Sequence, residues 1–164
     1  MKKISVLLTK YSDKISTLLY YLGGRGYTHV SIALDATEDR YYSFNYKGFC
    51  EESLSKHRKR GVHKSVQYEL AVSDEAYRAM RERLAVFLLH RQQYAYTRLG
   101  LLCCLLHLPF VWKNHYFCSQ FVAELLQDAG GVPLGRRANL TLPNHFQQIL
   151  THSDCLCEVV HDVV

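Results

Sequence analysis

The stretch YTHVSIALD, residues 27–35, decides how this chain is read. Its alternation sends Val30, Ile32 and Leu34 to one face of an extended strand and His29, Ser31 and Ala33 to the other. Beyond it the polar turn DATEDR leads into YYSFNYKGF, residues 41–49, where Tyr42, Phe44 and Tyr46 alternate with Tyr41, Ser43 and Asn45. The two runs read as an antiparallel hairpin, which gives His29 polar neighbours. On the N-terminal side, KISVLLT reads as a strand over residues 3–9 that becomes buried in a sheet. Between the two strands Ser12 or Asp13 caps a short helix whose apolar side is Ile15, Leu18, Leu19 and Leu22, and Gly23 and Gly24 end it.

Downstream, EESLSKHRKRG holds the densest basic cluster of the chain, Lys56, Arg58, Lys59 and Arg60, followed by Lys64. Without interleaved aromatic residues it reads as a solvated loop. VHKSVQYELAV alternates again as a fourth strand, and Ser73 caps a long helix with Tyr77, Met80, Leu84, Phe87 and Leu88 at helical spacing. LGLLCCLLHLPFVW, residues 99–112, reads as a buried helix ended by Pro109, with an exposed lid or membrane-surface patch as the alternative. FCSQFVAELLQDAGG is a further helix with Phe121, Val122, Leu125, Leu126 and Ala129 on its core face. Pro143 opens another helix, and CLCEVVHDVV closes the chain as a last strand.

With 164 residues, 48% of them apolar, the chain is expected to form one domain over residues 1–164, which excludes intrinsic disorder. A net charge of +5 from 20 Lys and Arg against 15 Asp and Glu is too small for a dedicated nucleic-acid binder. The apolar runs are shorter than the roughly 18 residues of a membrane span, and MKKISVLLTKYSDK lacks the pattern of a signal peptide. The expectation is a cytoplasmic protein without stable membrane insertion. Cys50, Cys103, Cys104, Cys118, Cys155 and Cys157 are then expected to be reduced thiols. Cys155 and Cys157 form C-x-C without a second pair, and His107, His115 and His145 match no zinc spacing, so neither metal nor cofactor is assigned.

Chemistry concentrates on two residues. Cys118 opens a helix, where the peptide dipoles and unpaired N–H groups favour a nucleophilic thiolate. His29 stands on the polar face of its strand, where a neutral imidazole can take the thiol proton. The two act as a pair only if the fold brings them together.

The order of strand, short helix, YTHVSIALD, hairpin, apolar helix and NHYFCSQFVAELLQDAGG resembles the circularly permuted branch of the NlpC-type papain-like cysteine hydrolases. In that branch the His-bearing strand precedes the Cys-bearing helix. THVSIAL and FCSQFVAELL carry the likeness, with TLPNHF similar to the proline-containing segment after the catalytic helix. The resemblance implies an α+β fold in which a small antiparallel sheet packs against helices, with Cys118 as nucleophile and His29 as general base. Chemistry of this kind also needs an acceptor that holds the imidazole tautomer. Related proteins often place a carboxylate, His or amide there. Asn45, with its amide oxygen, and Ser43 are the candidates in YYSFNY, a segment without an acidic residue.

The expected activity is hydrolysis of an amide bond in a small-molecule, peptide or lipid substrate through a Cys118 acyl-enzyme. The family likeness extends to acyltransferases related to lecithin:retinol acyltransferase, which makes acyl transfer or thioester cleavage the alternative within enzymes. A second alternative is a catalytically inactive binding module that uses the basic stretch 56–64 or the apolar segment as its contact surface.

Overall fold

The computed structural model describes residues 1–35 and 37–164, so Ala36 of the DATEDR turn lies outside the described residues. Its centre is β1 (Lys2–Thr9), which pairs antiparallel with β2 (His29–Ala33) on one side and β5 (Ser65–Val72) on the other. Beyond β2 lie β3 (Tyr41–Asn45) and then β4 (Gly48–Glu52), and β8 (Leu156–His161) borders β5. The resulting antiparallel six-stranded sheet runs β4-β3-β2-β1-β5-β8. β6 (Ala95–Tyr96) and β7 (His115–Tyr116) form a separate parallel pair.

The apolar face of the sheet, with Val6, Val30, Ile32, Phe44 and Tyr68, is covered by three helices: α3 (Asp74–Leu89), α5 (Cys118–Asp128) and α6 (Pro143–Thr151). The other face is covered thinly: α2 (Leu54–Lys59) and the C-terminal Val163 and Val164 pack on Leu7, Ala33 and Tyr41. α1 (Lys14–Leu22) and α4 (Arg98–Leu105) sit to one side, joined through a small cluster that includes Leu19, Leu101, Phe117 and Leu142. The molecule is thus an α+β domain with an antiparallel sheet packed against helices.

Three local expectations change. YYSFNYKGF is two strands, because the chain reverses at Asn45-Tyr46-Lys47-Gly48. The Asn45 side chain accepts from the Lys47 N–H at 2.9 Å, and Gly48 takes φ +102°. Asn at the first turn position and Gly at the fourth are ordinary turn chemistry. A Cβ on Gly48 would also stand 2.7 Å from the Tyr94 carbonyl oxygen.

The basic stretch is solvated at Lys56, Arg58, Lys59 and Arg60 but is a helix rather than a loop: Ser53 caps α2 by accepting from Lys56 N–H, and His57 of that helix is fully buried. The 99–112 segment is not a buried helix ended by Pro109 either. α4 stops at Leu105, well short of the proline, and buries only Gly100, Leu101 and Cys104. Leu99, Leu102, Leu106, Leu108, Val111 and Trp112 are exposed. The sheet is already covered by α3, α5 and α6, so only one side of α4 finds a surface.

Candidate active site

Cys118 is the first residue of α5, and the aromatic core fixes where that residue stands. Phe121, one turn along, packs with ring centroids 5.3 Å from Phe44, 5.7 Å from Phe49 and 5.0 Å from Phe87. Edge-to-face contacts at these separations add to the burial of the rings. The first backbone bond of α5 runs from Phe121 N–H to Phe117 C=O, 3.1 Å. The N–H groups of Cys118, Ser119 and Gln120 therefore precede the helical ladder and have no acceptor within it.

Cys118 and His29 line one cavity of about 460 Å³, together with Tyr11, Glu52, Arg60 and Tyr96. Both residues, expected to act together, thus face the same cavity. His29 pairs with Thr9 of β1, in register with the Leu7↔Ser31 and Ser5↔Ala33 pairs, which puts it on the sheet face opposite Val30 and Ile32.

The partner of the imidazole is neither Asn45 nor Ser43. Ser43 Oγ donates to the Val30 carbonyl at 2.7 Å, and the Asn45 oxygen is spent on the turn. Glu52 takes the position instead: its Oε2 lies 2.8 Å from His29 Nε2. The reason is the misread hairpin. Only after the reversal at Gly48 does β4 return beside β3, with Glu52 opposite Tyr41. Asn at the head of a turn and Gly at its end was the signal in the sequence for this extra strand.

Glu52 is itself held from three sides. Arg60 Nη1 donates to its Oε1 at 3.2 Å, and His57 Nε2 stands 3.5 Å from its Oε2. The other nitrogen of His57, Nδ1, hydrogen-bonds the Tyr11 hydroxyl, and the Tyr11 N–H donates to Thr28 Oγ1 at 2.9 Å. His57 and Arg60 lie in the stretch 51–61, which reads as a solvated charge run, and Tyr11 follows β1 with no local sign of a role.

Charge is distributed unevenly across this group. Burial works against ionisation of Glu52, but the charges of His29, His57 and Arg60 outweigh it and hold the carboxyl well below the usual range. Burial likewise opposes charge on His29, yet the Glu52 carboxylate and the neighbouring Cys118 sulfur push it up to about 10. His57 moves the other way, down to about 4: burial dominates and outweighs the Glu52 carboxylate, with the positive His29 and Arg60 acting in the same direction as burial. Tyr11 is pushed up to about 12 by burial and by Glu52. At neutral pH the cluster thus contains one carboxylate, an imidazolium at His29, a guanidinium, a neutral His57 and a neutral phenol.

Among the described residues no group of three or more His, Cys, Asp or Glu is arranged to hold a metal ion. No family model matches the chain, and a search among curated proteins returns no match.

Proposed function

We propose that the protein is a cysteine-dependent hydrolase of the permuted papain-like kind, cleaving an amide bond with Cys118, His29 and Glu52. One observation carries this reading: the thiol at the start of α5 and a histidine oriented by a buried carboxylate face the same cavity. Bound to Glu52 through Nε2, His29 has Nδ1 left for the sulfur and the substrate. The raised basicity of His29 suits it to hold the proton that the thiol gives up on attack.

In the reaction the Cys118 sulfur bonds to the carbonyl carbon, and the electron pair moves to the carbonyl oxygen. N–H groups at the start of α5 receive that oxyanion. Collapse of the intermediate breaks the C–N bond as His29 gives its proton to the leaving nitrogen, which leaves a thioester on Cys118. His29, now neutral, takes a proton from water, and the hydroxide equivalent releases the acid and restores the thiol pair. Glu52 holds the ring and compensates its charge without being protonated.

Acyl transfer from a lipid is the second reading, favoured by Ile15, Leu19 and Tyr96 on the cavity wall. It would use the same thioester with a different acceptor in place of water.

The test is iodoacetamide labelling mapped to each cysteine across pH, in the wild type, His29→Ala and Glu52→Gln. Cys118 is expected to label well below pH 8.5 in the wild type and to lose that low-pH reactivity in His29→Ala, with Glu52→Gln between the two. Labelling of Cys118 that is unchanged by His29→Ala would overturn the assignment and leave a binding module of the same fold. Ester substrates of short and long acyl chain, scored for thioester on Cys118, separate hydrolysis from acyl transfer.

A further inference from the structure

Several of the exposed apolar residues lie on α1 and on α4 with the chain that follows it. Along α4 and its C-cap, Leu99, Leu102 and Leu106 recur at helical spacing, and all three are exposed, Leu106 by 60%. The chain then continues through Leu108, Val111 and Trp112, exposed by 54%, 72% and 50%. On α1, Leu18, Tyr21 and Leu22 are exposed in the same way. Both helices border the small cluster of Leu19, Leu101 and Leu142, so their exposed faces flank a common seam. Scattered surface leucines need no explanation, but two flanking stripes joined by such a seam do.

Basic groups outnumber acidic ones along these segments. From Arg91 to Ala123 the ionised residues are Arg91, Arg98 and Lys113, with no Asp or Glu. Around α1 stand Lys10, Lys14 and Arg25 against a lone Asp13, which is engaged in capping the helix through Ile15 and Ser16 N–H. Arg25 lies 5.9 Å from the ring centre of Tyr21, a basic group beside an exposed aromatic ring. A folded partner would be expected to complement such a face with acidic and apolar groups at matched positions, whereas a lipid surface supplies both without registry. Leucines flanked by a tryptophan and a ring of Lys and Arg are the composition of an element that lies in the headgroup region. Among the described residues no helix is long and apolar enough to cross a membrane, so attachment by this face would be peripheral.

We propose that the α1–α4 face, with Leu102, Leu106 and Trp112 at its centre, docks the protein on an anionic lipid bilayer. This goes beyond the hydrolase reading and does not depend on it, because none of these residues belongs to the Cys118 group. Ile15 and Leu19 belong both to the cavity wall and to the seam between the two helices.

Trp112 is the single tryptophan of the chain and reports the contact directly. The experiment mixes the intact protein with phosphatidylcholine vesicles, with and without phosphatidylserine, and reads Trp112 emission together with co-sedimentation. With phosphatidylserine a blue shift and sedimentation are expected, with at least about tenfold weaker binding to phosphatidylcholine alone as the basic rim loses its partner. Leu102→Ser combined with Leu106→Ser is expected to weaken binding about tenfold or more at an unchanged urea midpoint. Arg98→Glu with Lys113→Glu is expected to remove the preference for phosphatidylserine. Cys118→Ser is expected to bind as the wild type does, whatever becomes of the catalytic assignment. No blue shift with either vesicle, or equal binding to both, would overturn the proposal. So would a dimer in sedimentation velocity that the double leucine variant dissociates, since the face would then belong to a second copy.

Discussion

The sheet and α5 bury Phe44 and Phe121 almost completely, while α1, α4 and the residue that ends α4 leave Leu18, Leu22, Leu102 and Leu106 in contact with solvent. Both sides are built from apolar helical sequence. α5 meets a sheet face and α3, so its whole inner surface and most of its flanks are enclosed. α4 meets chiefly the seam with α1 and Phe117, so the same kind of residue is enclosed on one side alone. Apolar content therefore sets what a helix can bury, and the surfaces left free by its neighbours set what it does bury. The enclosed wall keeps the nucleophile in place, and the open wall is free to make contacts outside the molecule.

Substitutions can break or sharpen this contrast. The largest effect is expected on the enclosed wall: Phe121→Ala should cost about 3–5 kcal/mol in urea unfolding, since the cavity left among Phe44, Phe49 and Phe87 has no solvent path to relax into. A cost below 1 kcal/mol would mean that α5 is not the anchored element described here. Glu52→Ala comes next, at about 3 kcal/mol, because His29 and Arg60 lose the carboxylate that compensates them, and Glu52→Gln should recover part of it. On the seam, Leu101→Ala is expected to cost about 2 kcal/mol, the low end for a buried leucine.

The pH dependence of stability sharpens the polar side of the same wall. His57 has a lowered folded pKa, about 4 against an unfolded 6.5, so between these values the unfolded chain binds the extra proton and stability falls as pH falls. His29 has a raised one, so its contribution is full below pH 6.5 and is lost as pH rises toward about 10. Glu52 adds a loss on the acid side, once pH drops below the unfolded value near 4.5. Stability should peak near pH 6.5, with an acid limb of at most about 1.4 kcal/mol per pH unit per proton. His57→Asn should flatten the limb between pH 4.5 and 6.5, and urea midpoints measured across pH would show an unchanged slope if His57 were not the buried neutral group. The smallest effect belongs to the open wall, where Leu102→Ser and Leu106→Ser should each shift unfolding by no more than about 0.5 kcal/mol.

Much of the fold was legible from pattern. Residues 3–9 read as a buried strand and form the central β1, and Ser73 and Pro143 open helices as their residue types suggest. Of the site, the sequence marked Cys118 and His29, and the structure sets both on one cavity. Glu52 was hidden because its strand follows a turn that the tyrosine alternation ran straight across, and because EESLSKHRKRG has the composition of solvent-exposed chain. His57 and Arg60 were hidden for the same reason, since a basic residue in a charged run gives no local sign that it will stand beside a buried carboxylate.

The sequence by itself determined the elements and their faces: alternation put His29 opposite Val30 and Ile32, and helical spacing put Phe121 and Val122 toward the core. These are properties of neighbours along the chain, fixed by backbone geometry. The tertiary structure alone decided that Glu52 rather than Asn45 or Ser43 meets His29, that Arg60 bonds Glu52 with His57 buried beside it, and that Leu99 and Leu102 of α4 stay outside. Each of those outcomes depends on strand register and on which surfaces the rest of the fold has already covered, and neither is a local property of sequence.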